Sequence, residues 1–406
     1  MSRGGRHPFP TSSTTLVVMW IAISTVITGV AIGMFWLASL WGGVSTGLEH
    51  IYILHPYIML TLITPLFVMG VAYTLLPPFW GGKPSKYVAG VGISLLIGGE
   101  SAYIVGIYSG YLDPLVGGVA SLLASIVFTA SILSTVKFEN KLFLYPDLFI
   151  TSSLSTLPIF YFIRLMLDLG VLWRVPNSHL YLIIITGFIT PLIIGVSTRT
   201  MKFKFTTVDM RLLRVSFYLF LSSITTLLLG VAGLVWRGLW IYLLYPSIIL
   251  YSISYNVFER SPGEEYLSRM GVRDLTRYIF FRRHINAGGF WLLAGYTILL
   301  IYYSPNSIFN DVFIWDAGLH SLTLGFMGNY ILAYLGVMIP PITLRKAAYR
   351  NLNSIPLALL NIAISIRVLA DVYTPLRSAV TAYIHGILIL GVVASTIYVL
   401  ARSLRE

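Results

Sequence analysis

Runs of about 20 apolar residues recur along the whole chain, broken by short groups of Gly, Pro and charged residues such as Gly81-Gly82-Lys83-Pro84 and Ser261-Pro262-Gly263. Each run is long enough to cross a bilayer core as a helix. The runs are continuous rather than alternating, which favours helices over a barrel. The pattern predicts twelve transmembrane helices, at about residues 14–40, 50–79, 87–109, 113–136, 142–166, 177–200, 211–235, 238–258, 284–304, 311–341, 353–373 and 378–401. The fold class expected is therefore all-α, a polytopic bundle forming one transmembrane domain over residues 1–406. The first run has no small-residue cleavage site, so it reads as a retained helix rather than a signal peptide.

Composition agrees: 57% of the residues are hydrophobic, only 10% are charged, and mean hydropathy is +0.82. The absence of cysteine removes disulfides, thiolate zinc sites and cysteine-ligated iron–sulfur clusters. The net charge of +12 reflects basic loops rather than nucleic-acid binding. With the N-terminus inside, 22 of the 27 Lys and Arg residues fall in cytoplasmic segments, the others being Arg164, Arg174, Arg237, Arg367 and Arg377. That bias predicts a multi-pass protein of the cell membrane with both termini cytoplasmic. The longest cytoplasmic loop, about residues 259–283, mixes acids and bases and is expected to form an amphipathic interfacial helix.

Three histidines stand at matching places. His55, His179 and His320 lie near the starts of the second, sixth and tenth runs, and Gly70, Gly195 and Gly336 follow 15 or 16 residues later. Ile63-Thr64-Pro65-Leu66 recurs as Ile189-Thr190-Pro191-Leu192. Twelve helices then divide into three blocks of four, candidate internal repeats at 14–136, 142–258 and 284–401. In the predicted orientation the three histidines, and His385 of the last helix, share a layer near the outer face. His284 starts its helix on the other side and cannot join them.

A histidine within a membrane is costly without a partner, and several at one depth point to a shared ligand. Haem iron takes imidazole ligands, and His55 with His320 is the best pair; His179 and His385 are further candidates. The alternative for each alone is a hydrogen bond to a backbone carbonyl. Copper ranks below haem: it needs clustered imidazoles, and only His179, His385 and Tyr57 offer themselves, with no His-His or His-x-His pair. Arg367 is a candidate clamp for a haem propionate, although Asp371, one turn on, is also its natural partner. Arg164 and Asp168 repeat that spacing. Glu100, near the middle of the third helix, is a candidate proton relay, the alternative being a protonated side chain that bonds a neighbouring helix.

The stretch His55-Pro56-Tyr57-Ile58-Met59, with Gly70 and then Pro77-Pro78-Phe79-Trp80-Gly81-Gly82-Lys83-Pro84, resembles the NnrS family, which carries His-x-His-x-Met, then Gly, then a Val-Pro-x-Trp-x-Gly end. His320-Ser321-Leu322-Thr323-Leu324-Gly325-Phe326-Met327-Gly328 is similar to that family's His-x-Leu-Thr-x-Gly-x-x-Gly; Gly195 with Arg199, and Arg367, have counterparts too. The resemblance implies a haem-binding, twelve-helix membrane protein, distantly similar to subunit I of haem–copper oxidases with three four-helix arcs. It also implies a role in nitric oxide response or respiratory electron transfer, with nitric oxide as a gas ligand and a quinol or cytochrome as electron donor. Two departures weaken copper binding. Tyr57 replaces the second histidine, though tyrosine also ligates haem iron, and Ile339-Pro340-Pro341-Ile342-Thr343-Leu344-Arg345 replaces the expected His-Thr-Gly-Arg. The seventh run has no histidine, which argues against an oxygen-reducing haem–copper centre. The competing readings are a cofactor-free twelve-helix transporter, for which the repeats and Glu100 speak, and a membrane anchor subunit of a respiratory complex.

Overall fold

A computed structural model describes residues 12–43, 51–136, 144–172, 176–201, 208–258, 271–305, 307–308, 311–342 and 352–403. The described residues form helices and their connections, with a single isolated backbone bridge between Gly81 and Val136. In chain order the helices are α1 (Ser12–Gly42), α2 (Ile51–Pro56, Tyr57–Ile63 and Thr64–Leu75 in succession), α3 (Lys86–Ser109), α4 (Pro114–Leu133), α5 (Tyr145–Asp168) and α6 (Asn177–Leu182, Ile183–Ile189 and Thr190–Met201). They continue with α7 (Met210–Val231), α8 (Leu239–Ser254), α9 (Val272–Tyr302), α10 (Val312–His320, Ser321–Gly328 and Asn329–Ile342), α11 (Ile355–Val372) and α12 (Ala379–Ser403).

Ten of these helices are long and apolar enough to cross a membrane, which makes the chain a multi-pass helical membrane protein. The sequence pattern predicts twelve spans; α8, a shorter apolar helix, and α10 are not among the ten. Helix α9 begins at Val272, well before the expected residue 284, so part of the predicted interfacial segment is the first turns of α9. Residues 259–270 of that segment lie outside the described residues. Large apolar side chains such as Trp20, Val91, Leu123, Phe290 and Ile387 are exposed on the outside of the bundle, as lipid contact requires.

Local signals fix the helix ends. The Asp113 carboxylate accepts from Leu115 N–H at 2.9 Å, and Pro114 opens α4. Asp209 caps α7 and Asp311 caps α10 in the same way. Gly110 ends α3 at φ 68°, a left-handed conformation that glycine adopts without a Cβ clash.

Small residues set the closest packing. A Cβ on Gly117 of α4 would lie 2.5 Å from the Gly99 carbonyl oxygen of α3, so these two backbones touch. Helices α7 and α8 are joined by reciprocal serine bonds: Ser216 Oγ donates to Ser247 O at 2.9 Å, and Ser247 Oγ donates to Ser216 O at 2.6 Å. Further close pairs are α11 with α12, and α12 with α1.

Helices α2, α6 and α10 share one distortion. Each passes through two turns of π-helix, at Tyr57–Ile63, Ile183–Ile189 and Ser321–Gly328. Each π segment starts one to four residues after the histidine of its helix. The π segment of α6 touches those of both α2 and α10, so these three helices meet at the centre of the bundle. A π segment widens the helix and turns the side chains beyond it, and such segments collect at functional sites.

Candidate functional site

The structure brings His55 of α2 and His320 of α10 together. Their rings lie 10° from parallel with centres 6.5 Å apart. Each ring is held by its Nδ1. His55 Nδ1 bonds Gly29 O of α1 at 2.9 Å, and His320 Nδ1 bonds Asp316 O at 3.1 Å. A carbonyl accepts only, so each Nδ1 carries the proton and the lone pair sits on Nε2, the tautomer of a metal-ligating imidazole. Helix α1 is shaped for this contact. A Cβ on Gly33 would stand 2.6 Å from the His55 ring, and the Trp36 ring lies at 28° to the imidazole with ring centres 6.4 Å apart.

Asp316 adds an ionic layer. Its Oδ1 is 3.2 Å from His320 Nδ1, and its Oδ2 accepts a bond from Arg367 of α11. Arg367 also approaches Asp371 Oδ2 with Nε at 3.2 Å, the one-turn pair that the spacing predicts. The guanidinium lies 4.7 Å from the Trp41 ring. Among the described residues, three buried donors in this corner, Arg367 Nε, Arg367 Nη1 and Trp41 Nε1, and both carboxylate oxygens of Asp371 have no hydrogen-bond partner. Arg377 donates to Asp371 O at 2.6 Å and to Ala370 O at 3.1 Å, closing the turn after α11.

Donor atoms of Asp316, His320 and Asp371 lie within 4.8 Å of one another, a spacing that suits a cation. The Arg367 guanidinium already bridges both carboxylates and supplies that positive charge. The arrangement is thus built around an arginine, which leaves the imidazole Nε2 atoms as its soft donors.

On the side away from Arg367 a cavity of about 300 Å³ opens, with Met59, Ile63, Leu324, Met327, Leu360 and Ile389 among its lining. These residues come one to two turns beyond the histidines of α2, α10 and α12, and two turns before Arg367 on α11. The site therefore has a charged end, a pair of parallel imidazoles and an apolar end, in that order. His385 of α12, buried, bonds Ala363 O through Nδ1 at 2.9 Å and lies within electrostatic reach of His320, His55 and Arg367.

Other candidate residues fall elsewhere. Tyr57 projects from a different side of α2 than His55, because two residues of helix turn a side chain by more than a right angle. It packs on Tyr103 at 5.6 Å and Tyr181 at 6.4 Å, so it is not a partner of the His55–His320 pair. His179 packs edge-on against Tyr303 at 6.2 Å. His179, Tyr57 and His385, the copper candidates, thus sit in three separate clusters.

Glu100 does not face an open path. Both carboxylate oxygens are taken by Arg164, at 2.7 and 2.9 Å, and Thr61 donates to Oε2 at 2.6 Å. Both residues are buried, and the carboxylate bonds two neighbouring helices, as the alternative reading of Glu100 expects. Arg164 therefore does not pair with Asp168, which instead accepts from Tyr103 at 2.9 Å.

Sequence reasoning passed over Gly29, Gly33, Trp36, Trp41 and Asp316. Asp316 carried a readable signal, a carboxylate four residues before a histidine on one helix face. Gly29 and Gly33 show the small-xxx-small spacing of close membrane contacts. The two tryptophans had no pattern to mark them.

None of the curated proteins matches this chain. One family does: the match runs over residues 93–402, from within α3 to the end of α12, and so includes Asp316, His320, Arg367 and His385 but not His55. As that match takes in well over half of the 406 residues, the chain belongs to the family described as Domain of unknown function (DUF8744).

Proposed function

We propose that this protein is a haem-binding membrane protein of the NnrS type, in which His55 and His320 are the two axial ligands of one iron and the centre passes electrons. The observation that carries the reading is the relation of the two imidazoles. With metal–imidazole bonds of about 2 Å and roughly 1.1 Å from nitrogen to ring centre, two rings on one ion have centres about 6 Å apart. The value here is 6.5 Å, with both Nδ1 atoms already bonded to carbonyls.

The surrounding residues fit a porphyrin. Arg367 Nη1 and Trp41 Nε1 are buried donors lacking acceptors, as a pair of carboxylates would need. The cavity that begins one turn beyond the imidazoles is lined by apolar side chains, Met59, Leu324 and Met327 among them. When bound, haem supplies one-electron redox chemistry. The chain's own part is to orient both imidazoles through Gly29 and Asp316, to neutralise carboxylates through Arg367, and to exclude water with the Met, Ile and Leu lining. If His55 and His320 both held the iron, the haem would serve for electron transfer and would leave no free position for nitric oxide. Electron carriage, from a quinol or a cytochrome, would then be the basal activity, with copper ranked below haem.

The reading extends to topology. All twelve helices are taken as spans, arranged as three four-helix arcs whose second members, α2, α6 and α10, meet at the centre. The recurrence of a π segment after each of three histidines supports that division. The positive-inside bias supports cytoplasmic termini, with the histidine layer toward the outer face. The saturated Glu100 carboxylate speaks against a transport route through that residue.

The test is a pyridine haemochrome assay with metal analysis on purified protein, beside oxidised and dithionite-reduced spectra. The expected result is haem near one per chain and a six-coordinate, low-spin spectrum in both states. Protein produced with ample haem that shows no Soret band overturns the reading.

A further inference from the structure

We infer that Asp316 is a positioning residue: it couples the His320 imidazole to Arg367 and so tunes the redox potential of the iron that His320 ligates. The inference rests on the haem reading above and deepens it. Three contacts carry it. Asp316 Oδ1 stands 3.2 Å from His320 Nδ1. Its other oxygen accepts from Arg367, which also approaches Asp371 at 3.2 Å. All three groups lie on facing turns of α10 and α11, where the low dielectric strengthens each charge.

The two axial imidazoles are not equivalent in this frame. His55 donates its Nδ1 proton to a neutral carbonyl, that of Gly29. His320 Nδ1 also bonds a carbonyl, that of Asp316, but it has the Asp316 carboxylate beside it at 3.2 Å, so a negative charge faces this ring and not the other. A carboxylate on Nδ1–H pulls the proton away and makes the other nitrogen a stronger electron donor to iron. Stronger donation favours the oxidised iron, so Asp316 lowers the potential. Arg367 moderates this, because it draws on the same carboxylate. An Asp316–Arg367 pair thus connects the charged end of the site to one axial ligand only.

The experiment compares purified wild-type protein with Asp316→Asn and Asp371→Asn, by redox titration of the haem bands and by EPR of the ferric state. Asp371 is the control, since it carries charge to the same arginine without being bonded to an imidazole. For Asp316→Asn the expected result is haem retained, a midpoint potential shifted to more positive values, and altered low-spin g values. For Asp371→Asn the g values stay as in wild type, whatever the potential does. Unchanged g values in Asp316→Asn, or the same g shift in both variants, overturn the inference while leaving bis-histidine haem intact. Wild-type protein without haem overturns the underlying reading instead. Should Asp316→Asn not accumulate, near-infrared magnetic circular dichroism of the wild type decides. A charge-transfer band showing one strongly hydrogen-bonded imidazole supports the inference, and a band of two neutral imidazoles overturns it.

Discussion

Glu100 and Arg164 meet in a two-point ion pair, Oε1 to Nη2 at 2.7 Å and Oε2 to Nη1 at 2.9 Å, with both side chains at 1% exposure or less. Thr61 donates to the same carboxylate, and the guanidinium lies 3.9 Å from the Tyr103 ring and 5.0 Å from the Tyr161 ring. The pair joins α3 to α5, and Thr61 brings in the π segment of α2. Removing one partner strands a charge in low dielectric, at a cost of about 3–5 kcal/mol. Arg164→Met and Glu100→Ala are each expected to lower thermal stability in detergent strongly. The double variant Glu100→Met with Arg164→Met is expected to recover most of the loss, because no unpaired charge remains. Equal melting temperatures for wild type and both single variants would contradict this.

A second polar lock holds the other ends of the helices. Asp147, fully buried at the start of α5, accepts from Trp80 Nε1 at 2.9 Å and from Leu144 N–H at 2.9 Å, with Arg199 Nη1 at 3.6 Å. One carboxylate thus ties the turn after α2 to α5 and α6. Asp147→Ala leaves the Trp80 Nε1 and Leu144 N–H donors without this acceptor, an expected loss of about 1–3 kcal/mol. The readout is thermal unfolding in detergent followed by circular dichroism, with a lower midpoint expected for the variant. A variant with wild-type unfolding would show that the lock carries no stability.

Much of this was readable from sequence, for reasons that differ by residue. Helix existence followed from apolar run length, because a bilayer leaves the backbone no other solution. His55 and His320 were legible as a pair because both sit at the same depth in related contexts, and depth converts directly from residue number in a helix. The facing of Tyr57 and Glu100 is not legible in the same way. Sequence gives depth but not azimuth, and their side chains point into the space between α2, α3 and α5 rather than toward α10. Asp316 went unnoticed because a one-turn Asp–His pair is common on helices, and only the arrival of Arg367 from α11 makes it a hub. Gly33 had no meaning until the His55 ring filled the place of its missing side chain.

That last contact gives a paired prediction. A Cβ at Gly33 would lie 2.6 Å from Cε1 and Nδ1 of His55, a ring pinned by its bond to Gly29 O. At Gly29 the added Cβ would lie 2.5 Å from Met59 Sδ, the end of a flexible side chain that can move away. Gly33→Ala is therefore expected to displace the imidazole and, on the haem proposal, to cut haem content severalfold. Gly29→Ala is expected to keep most of it. The ratio of Soret to protein absorbance in the two purified variants checks this, and equal retention would mean the ring is not held as described.

The near-parallel His55 and His320 planes, 10° apart, make a spectroscopic prediction that does not depend on activity. When two axial imidazoles are parallel, their π donation falls on one iron d orbital and splits it from its partner. The ferric EPR signal is then rhombic, with three resolvable g values. Perpendicular rings leave the orbitals nearly degenerate and give one very anisotropic, low-field feature. The structure holds the planes from outside, through Gly29 on one ring and Asp316 on the other, so the angle is not free to relax. A rhombic low-spin spectrum is expected for the wild type. His320→Ala is expected to convert it to high spin or to lose the haem, since only one protein ligand remains. A strongly anisotropic low-spin signal in the wild type would mean that the rings turn on binding, and a low-spin signal unchanged by His320→Ala would mean that another side chain is the ligand.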